Sequence, residues 1–380
     1  MSQPTPKKII TDKPQLGVKP FNTLLVDGSN LLEVCVNADK RLSSSGKQIG
    51  GIFQFLLQLK LLLRKGNFRY VYCFFDGDNS GEERHYYLSE YKANRDKSFD
   101  DNNISDYMKE VNERIKHMQK HFFKPKRSES EKENFFWQRD VLMMCLEELA
   151  VRQCICDKVE ADDFIGYYVT HKKPEERIVI CSNDRDLTQL ISDDVIVYVQ
   201  SLHDFVTVKN HTKYMGYHYS NVLLKKMLCG DTSDNIKGVK GLGEKTLFDN
   251  FPEILERKVT LDEVIKHAEE INRNRISEKK KPLKWAENVI NGITDGMQGN
   301  RLYEINRKII DLRNPLMTTE SIDLIESFMY APMDMEGRSM ENLYRIIVDN
   351  DIDDLKNENA FANFFVDYKY LIDKEKKNSI

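Results

Sequence analysis

A chain of 380 residues is long for one compact domain and short for three. Hydrophobic residues make up 40%, enough for a core. The balance of 57 Lys+Arg against 61 Asp+Glu gives a net −4, which excludes a plain polycation that coats nucleic acid. The greasiest stretch, Ile52 to Leu63, is broken by Gln54, Gln58 and Lys60 and is too short and polar to span a bilayer. Seven cysteines without a framework spacing fit a reducing compartment, so a soluble, cytoplasmic protein is expected.

Residues 1–20 have no apolar signal core and read as a flexible leader. The first apolar run, Phe21 to Val26, stops at Asp27-Gly28-Ser29, and Ile52 to Leu63 then has the density of a buried helix. Tyr70 to Phe75 stops at Asp76-Gly77-Asp78, Arg177 to Cys181 at Ser182-Asn183-Asp184, and Val195 to Val199 at Gln200. Cys154-Ile155-Cys156 falls in a further predicted strand, where buried free thiols are the expected state. Short apolar strands alternating with helical segments predict an α/β fold, a mainly parallel central sheet flanked by helices.

Residues 82–135 interrupt this rhythm. They are polar, rich in Lys, Arg, Tyr and Phe, and read as a helical insertion ahead of a helix from Asn134 to Val151. After about residue 216 strands disappear. Tyr219 to Leu228 reads as helix, Gly238 to Gly243 as a glycine-rich turn, and the remainder as helical and charged. The basic segment Arg273 to Lys284 reads as a solvated loop, and in the helical tail Leu343, Tyr344, Leu355, Phe361, Phe364 and Phe365 are expected to pack on the core or on a partner.

Three predicted strands end in an aspartate: Asp27, Asp76 and Asp184. Carboxyl ends of strands face the ligand crevice in open α/β sheets, so these side chains are expected to converge. Glu160, Asp162 and Asp163 open a predicted helix, Asp186 precedes another, and Asp231 and Asp234 follow a third. Taken singly, an aspartate after a strand is a common turn residue or helix cap. The combination is what points to a metal site. Nine crowded carboxylates repel one another unless cations neutralise them. An all-oxygen set suits Mg²⁺ or Mn²⁺ rather than Zn²⁺. Two such ions ~4 Å apart are a common device for phosphodiester cleavage, one activating water and the other steadying the leaving oxygen. Without these nine charges the rest of the chain would carry +5 instead of −4, a basic remainder compatible with a DNA substrate.

The segments LLVDGSN (Leu24 to Asn30), FFDG (Phe74 to Gly77), YKANRDK (Tyr91 to Lys97), VEADD (Val159 to Asp163), SNDRDLTQL (Ser182 to Leu190) and GDTSDNIKGVKGLGEKT (Gly230 to Thr246) resemble the 5′-nuclease superfamily. That group includes flap endonucleases, the 5′-nuclease domain of bacterial DNA polymerase I and, most similar, bacteriophage 5′→3′ exonuclease/ribonuclease H proteins. The segments occur in the family's order over about residues 21–250. The resemblance implies that Asp27, Asp76, Glu160 and Asp162 bind the first, catalytic metal. Asp184, Asp186, Asp231 and Asp234 would form the second cluster, with Asp163 between the two groups. Lys92 and Arg95 would be the family's basic pair at the base of a helical arch, steadying charge on the scissile phosphate.

The same resemblance makes residues 82–135 the arch over a single-stranded 5′ end. Arg84, Tyr91 and Lys97 are then candidate DNA contacts, in competition with a mixed-charge solvent face. It makes Gly238, Gly241 and Gly243 the turn of a helix-hairpin-helix element gripping duplex backbone without reading sequence, with Lys237, Lys240 and Lys245 adding charge and K⁺ as an ion such turns hold. The expected organisation is a leader (1–20), an α/β nuclease core (21–215), a hairpin-bearing DNA-binding region (216–300) and a C-terminal helical region on the core (301–380). The implied function is a monomeric, phage-encoded structure-specific 5′ nuclease of replication, acting at 5′ flaps, nicks and single-strand/duplex junctions and releasing 5′-phosphates. Ribonuclease H action on RNA–DNA hybrids and contact with a single-strand-binding protein or polymerase extend that expectation. Two alternatives stand beside it. The nine carboxylates speak against a non-catalytic DNA-junction-binding homologue, and the Gly238 to Thr246 turn against an RNA nuclease of the PIN type.

Overall fold

The computed structural model of the protein describes residues 20–66, 68–93, 128–295 and 301–378. In chain order the elements begin with β1 (Thr23–Asp27), α1 (Gly28–Ala38), α2 (Gly50–Leu63), β2 (Tyr70–Asp76), α3 (Glu82–Tyr87), α4 (Glu129–Glu148), β3 (Arg152–Cys156), α5 (Ala161–His171) and β4 (Ile178–Cys181). They continue with β5 (Val195–Val199), β6 (Asp204–Val206), α6 (His211–Met215), α7 (Val222–Cys229), β7 (Gly230–Asp231), β8 (Ile236–Lys237), α8 (Glu244–Asn250), α9 (Glu253–Glu256), α10 (Leu261–Ser277) and α11 (Lys284–Asn291). The last are α12 (Arg301–Ile310), α13 (Thr319–Phe328), α14 (Met340–Asp349), α15 (Glu358–Phe365) and α16 (Lys369–Asn378). These form two compact units, one of residues 20–78, 128–182 and 318–378, the other of residues 79–93, 183–295 and 301–317.

In the first unit every residue of β1 is buried, as are the middle five of β2, because a parallel strand is covered on both faces. The strands lie in the order β3-β2-β1-β4, and every pair among them is parallel. Asp27 stands opposite Phe74 at the carboxyl end of β1, and Asp76 opposite Cys156 at that of β2. The mainly parallel sheet with flanking helices is therefore as expected from the apolar runs, including the strand through Cys154 and Cys156. All seven cysteines are free.

Helix α4 begins at Glu129 rather than at the expected Asn134. Ser128 accepts from the Glu131 amide while Glu131 accepts from the Ser128 amide, a capping box that anchors a polar first turn the apolar pattern does not mark. Residues 318–378 belong to the same unit as the sheet. The Tyr368 hydroxyl donates to the Leu56 carbonyl at 2.6 Å, and Arg152 forks onto Glu375 at 3.0 and 2.9 Å, both side chains buried.

The second unit holds a short antiparallel pair, β5 with β6, and a two-residue ribbon, β7 with β8. Both β6 and the ribbon are too short to leave a sequence period. The basic segment expected as a loop is half helix: Arg273 to Ser277 close α10, and residues 278–283 connect to α11. Asn272 pins that connection, accepting from the Leu283 amide at 2.7 Å and donating to its carbonyl at 3.3 Å. Long basic side chains are good helix formers, which the charge count alone conceals. Among the described residues no helix is long and apolar enough to cross a membrane.

Candidate active site

In the first unit, Asp27 sits where β1 passes into α1. Its Oδ1 accepts from the Asn30 amide at 3.0 Å, capping the helix, and its Oδ2 accepts from the Ser182 hydroxyl at 2.8 Å. Asp76 performs the matching service for α5: its Oδ1 accepts from the Ala161 amide at 2.9 Å, and its own amide donates to the Ser29 hydroxyl oxygen at 2.8 Å. Each strand-end aspartate thus holds the start of a helix. Gly77 makes the turn after β2 feasible, since a Cβ there would fall 1.6 Å from the Cys156 carbonyl oxygen.

Asp76 therefore lies at the N-terminus of α5, where Glu160 is the N-cap and Asp162 and Asp163 occupy the first turn. One carboxylate oxygen from each of Glu160, Asp162 and Asp163 lies within 4.8 Å of the others, and Glu160 and Asp163 are buried. The positive end of the helix offsets part of this charge. Three carboxylates in so small a volume still call for a cation. Hard oxygen donors at this spacing fit a divalent ion of the Mg²⁺ or Mn²⁺ kind.

The second unit carries its own cluster. Asp186, Asp231 and Asp234 place carboxylate oxygens within 4.8 Å of one another. Asp184 joins them, its Oδ1 accepting from the Asp186 amide at 2.7 Å. Burial, and then the charge of Asp186, push the Asp184 carboxyl well above the usual range. Burial also raises Asp186, against the pull of Lys226. Asp231 goes the other way. Burial opposes its ionisation, but the Lys226 charge and bonds from the Ser233 amide (2.9 Å) and hydroxyl (2.6 Å) hold it low.

Lys92 is tied to this cluster through its backbone: its amide donates to the Asp234 carbonyl at 2.8 Å, with Lys92 in the left-handed region at φ 56°. Its ammonium lies 4.8 Å from the Tyr91 ring centroid. Two expected DNA contacts are corrected. Arg84 and Tyr91 are buried, Arg84 Nε donates to the Ile309 carbonyl at 3.0 Å, and Tyr91 packs with Ile236, Ile309, Ile310 and Leu316. Both build the unit's interior rather than its surface, because a short α3 needs an anchor on α12. Arg95 and Lys97 lie outside the described residues, as does most of the expected arch.

In the glycine-rich turn Lys237, Lys240 and Lys245 are exposed, and the Lys240 ammonium pairs with Asp295 at 2.7 Å. Gly238 packs so closely on the end of α7 that a Cβ would lie 2.2 Å from the Cys229 carbonyl carbon, and Gly241 adopts φ 80°. Three contributors escape sequence reasoning: Ser29 and Ser182, which bond the strand-end aspartates, and Lys226, whose ammonium bonds both Asp186 and Asp231. The serines stand inside the DGSN and SNDRD segments, whereas Lys226 lies outside the acidic pattern.

A parallel sheet with carboxylate clusters at helix starts and strand ends defines the class, and comparison gives the family. The chain belongs to the family described as 5′-3′ exonuclease, N-terminal resolvase-like domain, whose model matches residues 22–218. It is 38% identical over 127 residues to DNA polymerase I of Caldicellulosiruptor bescii, covering 32% of this chain and 14% of that protein. It is 33% identical over 135 residues to the 5′-3′ exonuclease of Bacillus subtilis, covering 34% and 44%. The match thus spans less than half the length of either relative. In fold it is similar to the bacteriophage T5 5′-exonuclease with bound zinc (TM-score 0.53, 19% identity, 86% of this chain and 97% of that one). It is also similar to the bacteriophage T5 flap endonuclease in a complex with DNA and metal ions (TM-score 0.53, 18% identity, 93% and 99%).

Proposed function

We propose that the protein is a divalent-metal-dependent, structure-specific 5′ nuclease that hydrolyses DNA phosphodiesters at flaps, nicks and single-strand/duplex junctions and leaves 5′-phosphates. The observation that carries this reading is the pair of three-carboxylate clusters, Glu160/Asp162/Asp163 and Asp186/Asp231/Asp234, in a chain of the 5′-3′ exonuclease family. Asp27 and Asp76 would complete the first ligand set and Asp184 the second. Mg²⁺ or Mn²⁺ held by these groups would supply Lewis-acid charge to the phosphate and to the attacking water.

The chain's own residues do the remaining work. Asp27 and Asp76 each keep one oxygen on a helix amide, which fixes the orientation of the other. Lys92, held by its backbone beside Asp234, would steady charge on the scissile phosphate, with Arg95 as its partner. The glycine turn with Lys237, Lys240 and Lys245 would grip duplex backbone in the manner of a helix-hairpin-helix, and K⁺ is the ion proposed there. Work as a monomer in a host cytoplasm, action on RNA–DNA hybrids, and contact with a polymerase or single-strand-binding protein extend the same reading.

The test is a cleavage assay on labelled 5′-flap, nicked, blunt and RNA–DNA substrates. Cutting of the flap should require Mg²⁺ or Mn²⁺. Asp162→Asn should abolish cleavage while leaving junction binding intact, and normal cleavage by that variant would remove the ligand assignment.

A further inference from the structure

Adjacent lysines on α7 have different partners. Lys225 pairs with Glu244 at the start of α8, whereas Lys226, five residues before Asp231, bonds both Asp186 and Asp231. The Lys226 side chain is only 12% exposed, and the Asp186 and Asp231 side chains are 19% and 12% exposed. A surface lysine meeting a carboxylate by chance does not reach that burial, and desolvating an ammonium is costly unless it is paired. Two of the three carboxylates that could hold an ion together are thus already bridged by a positive charge carried on the chain itself.

We propose that Lys226 is a tethered cation that occupies the second acidic cluster in the metal-free protein and yields Asp186 and Asp231 when a divalent ion binds, so that it sets the affinity of that site. This rests on reading the cluster as a metal site. Ionised, Asp186, Asp231 and Asp234 carry −3, with Asp184 beside them. Lys226 reduces this to −2, which spares the empty cluster much of its self-repulsion. It also opposes an incoming divalent ion, both by like charge and by holding the oxygens that the ion needs. A lysine that merely arranged the carboxylates for the ion would have the opposite effect on affinity.

The test is a Mn²⁺ titration of the stripped full-length protein, with free Mn²⁺ followed by electron paramagnetic resonance. Four proteins are compared: wild type, Lys226→Met, Lys226→Arg and Asp231→Asn. Lys226→Met should bind one Mn²⁺ about tenfold more tightly than wild type, and Lys226→Arg, which keeps the charge, should stay near wild type. Unchanged or weaker binding by Lys226→Met overturns the proposal. If Asp231→Asn binds as many ions as wild type with the same affinities, the cluster is no metal site, and the underlying reading falls with the proposal. A second measurement uses wild type alone. Acetylation of Lys226 by an amine reagent, read by mass spectrometry, should rise several-fold on adding Mn²⁺, and no rise contradicts displacement.

Discussion

Among single residues, His211 ties the second unit's interior to pH. It is fully buried, its Nδ1–H donates to the Tyr217 carbonyl at 2.9 Å, and its Nε2 lies 3.3 Å from the Thr188 hydroxyl oxygen. Burial lowers its pKa from 6.5 to about 4. The folded state therefore binds the proton less readily than the unfolded chain does. The resulting stability is complete above pH 6.5 and is lost as pH falls toward about 4, up to roughly 3 kcal/mol over that window. Urea unfolding of the metal-free protein at pH 7, 5.5 and 4.5 should show this loss, and His211→Asn should flatten it. An equal slope in both proteins would mean that His211 carries no such linkage.

At the same scale, the sequence discloses some roles and hides others for physical reasons. Aspartates at strand ends are legible because an apolar run stops on them. The serines that bond Asp27 and the Asp76 amide are not, because a serine after a strand has many uses. Arg84 and Tyr91 look like DNA contacts because the resemblance sets them in a basic, aromatic arch. Burial decides otherwise, and composition does not report burial for amphipathic side chains.

Between elements, ion pairs and caps matter more than propensity. Helix α16 is fastened by Glu375, which receives both arms of Arg152 on β3, with the two side chains 3% and 5% exposed. Glu375→Gln would leave Arg152 buried without its counter-charge and should cost about 3–5 kcal/mol in urea unfolding. A loss below 1 kcal/mol would show that the pair adds nothing to the docking of α16. The strands β1, β2 and β4 and helix α2 were legible because each is a dense apolar run. The start of α4 was not, since its capping box is polar, and β6 was not, since three residues carry no period.

For the whole molecule, electrostatics joins sequence to function. A net −4 conceals nine carboxylates set into a basic remainder, and the fold gathers six of them into one three-carboxylate cluster in each of the two units. Burial raises Asp184 and Asp186, and the Lys226 charge pulls both the other way. The measurement that bears most directly on this account is anomalous diffraction from crystals soaked in Mn²⁺. Peaks should appear among the oxygens of Glu160, Asp162 and Asp163 and among those of Asp186, Asp231 and Asp234. Well-diffracting soaked crystals with no anomalous density at either cluster would contradict the account.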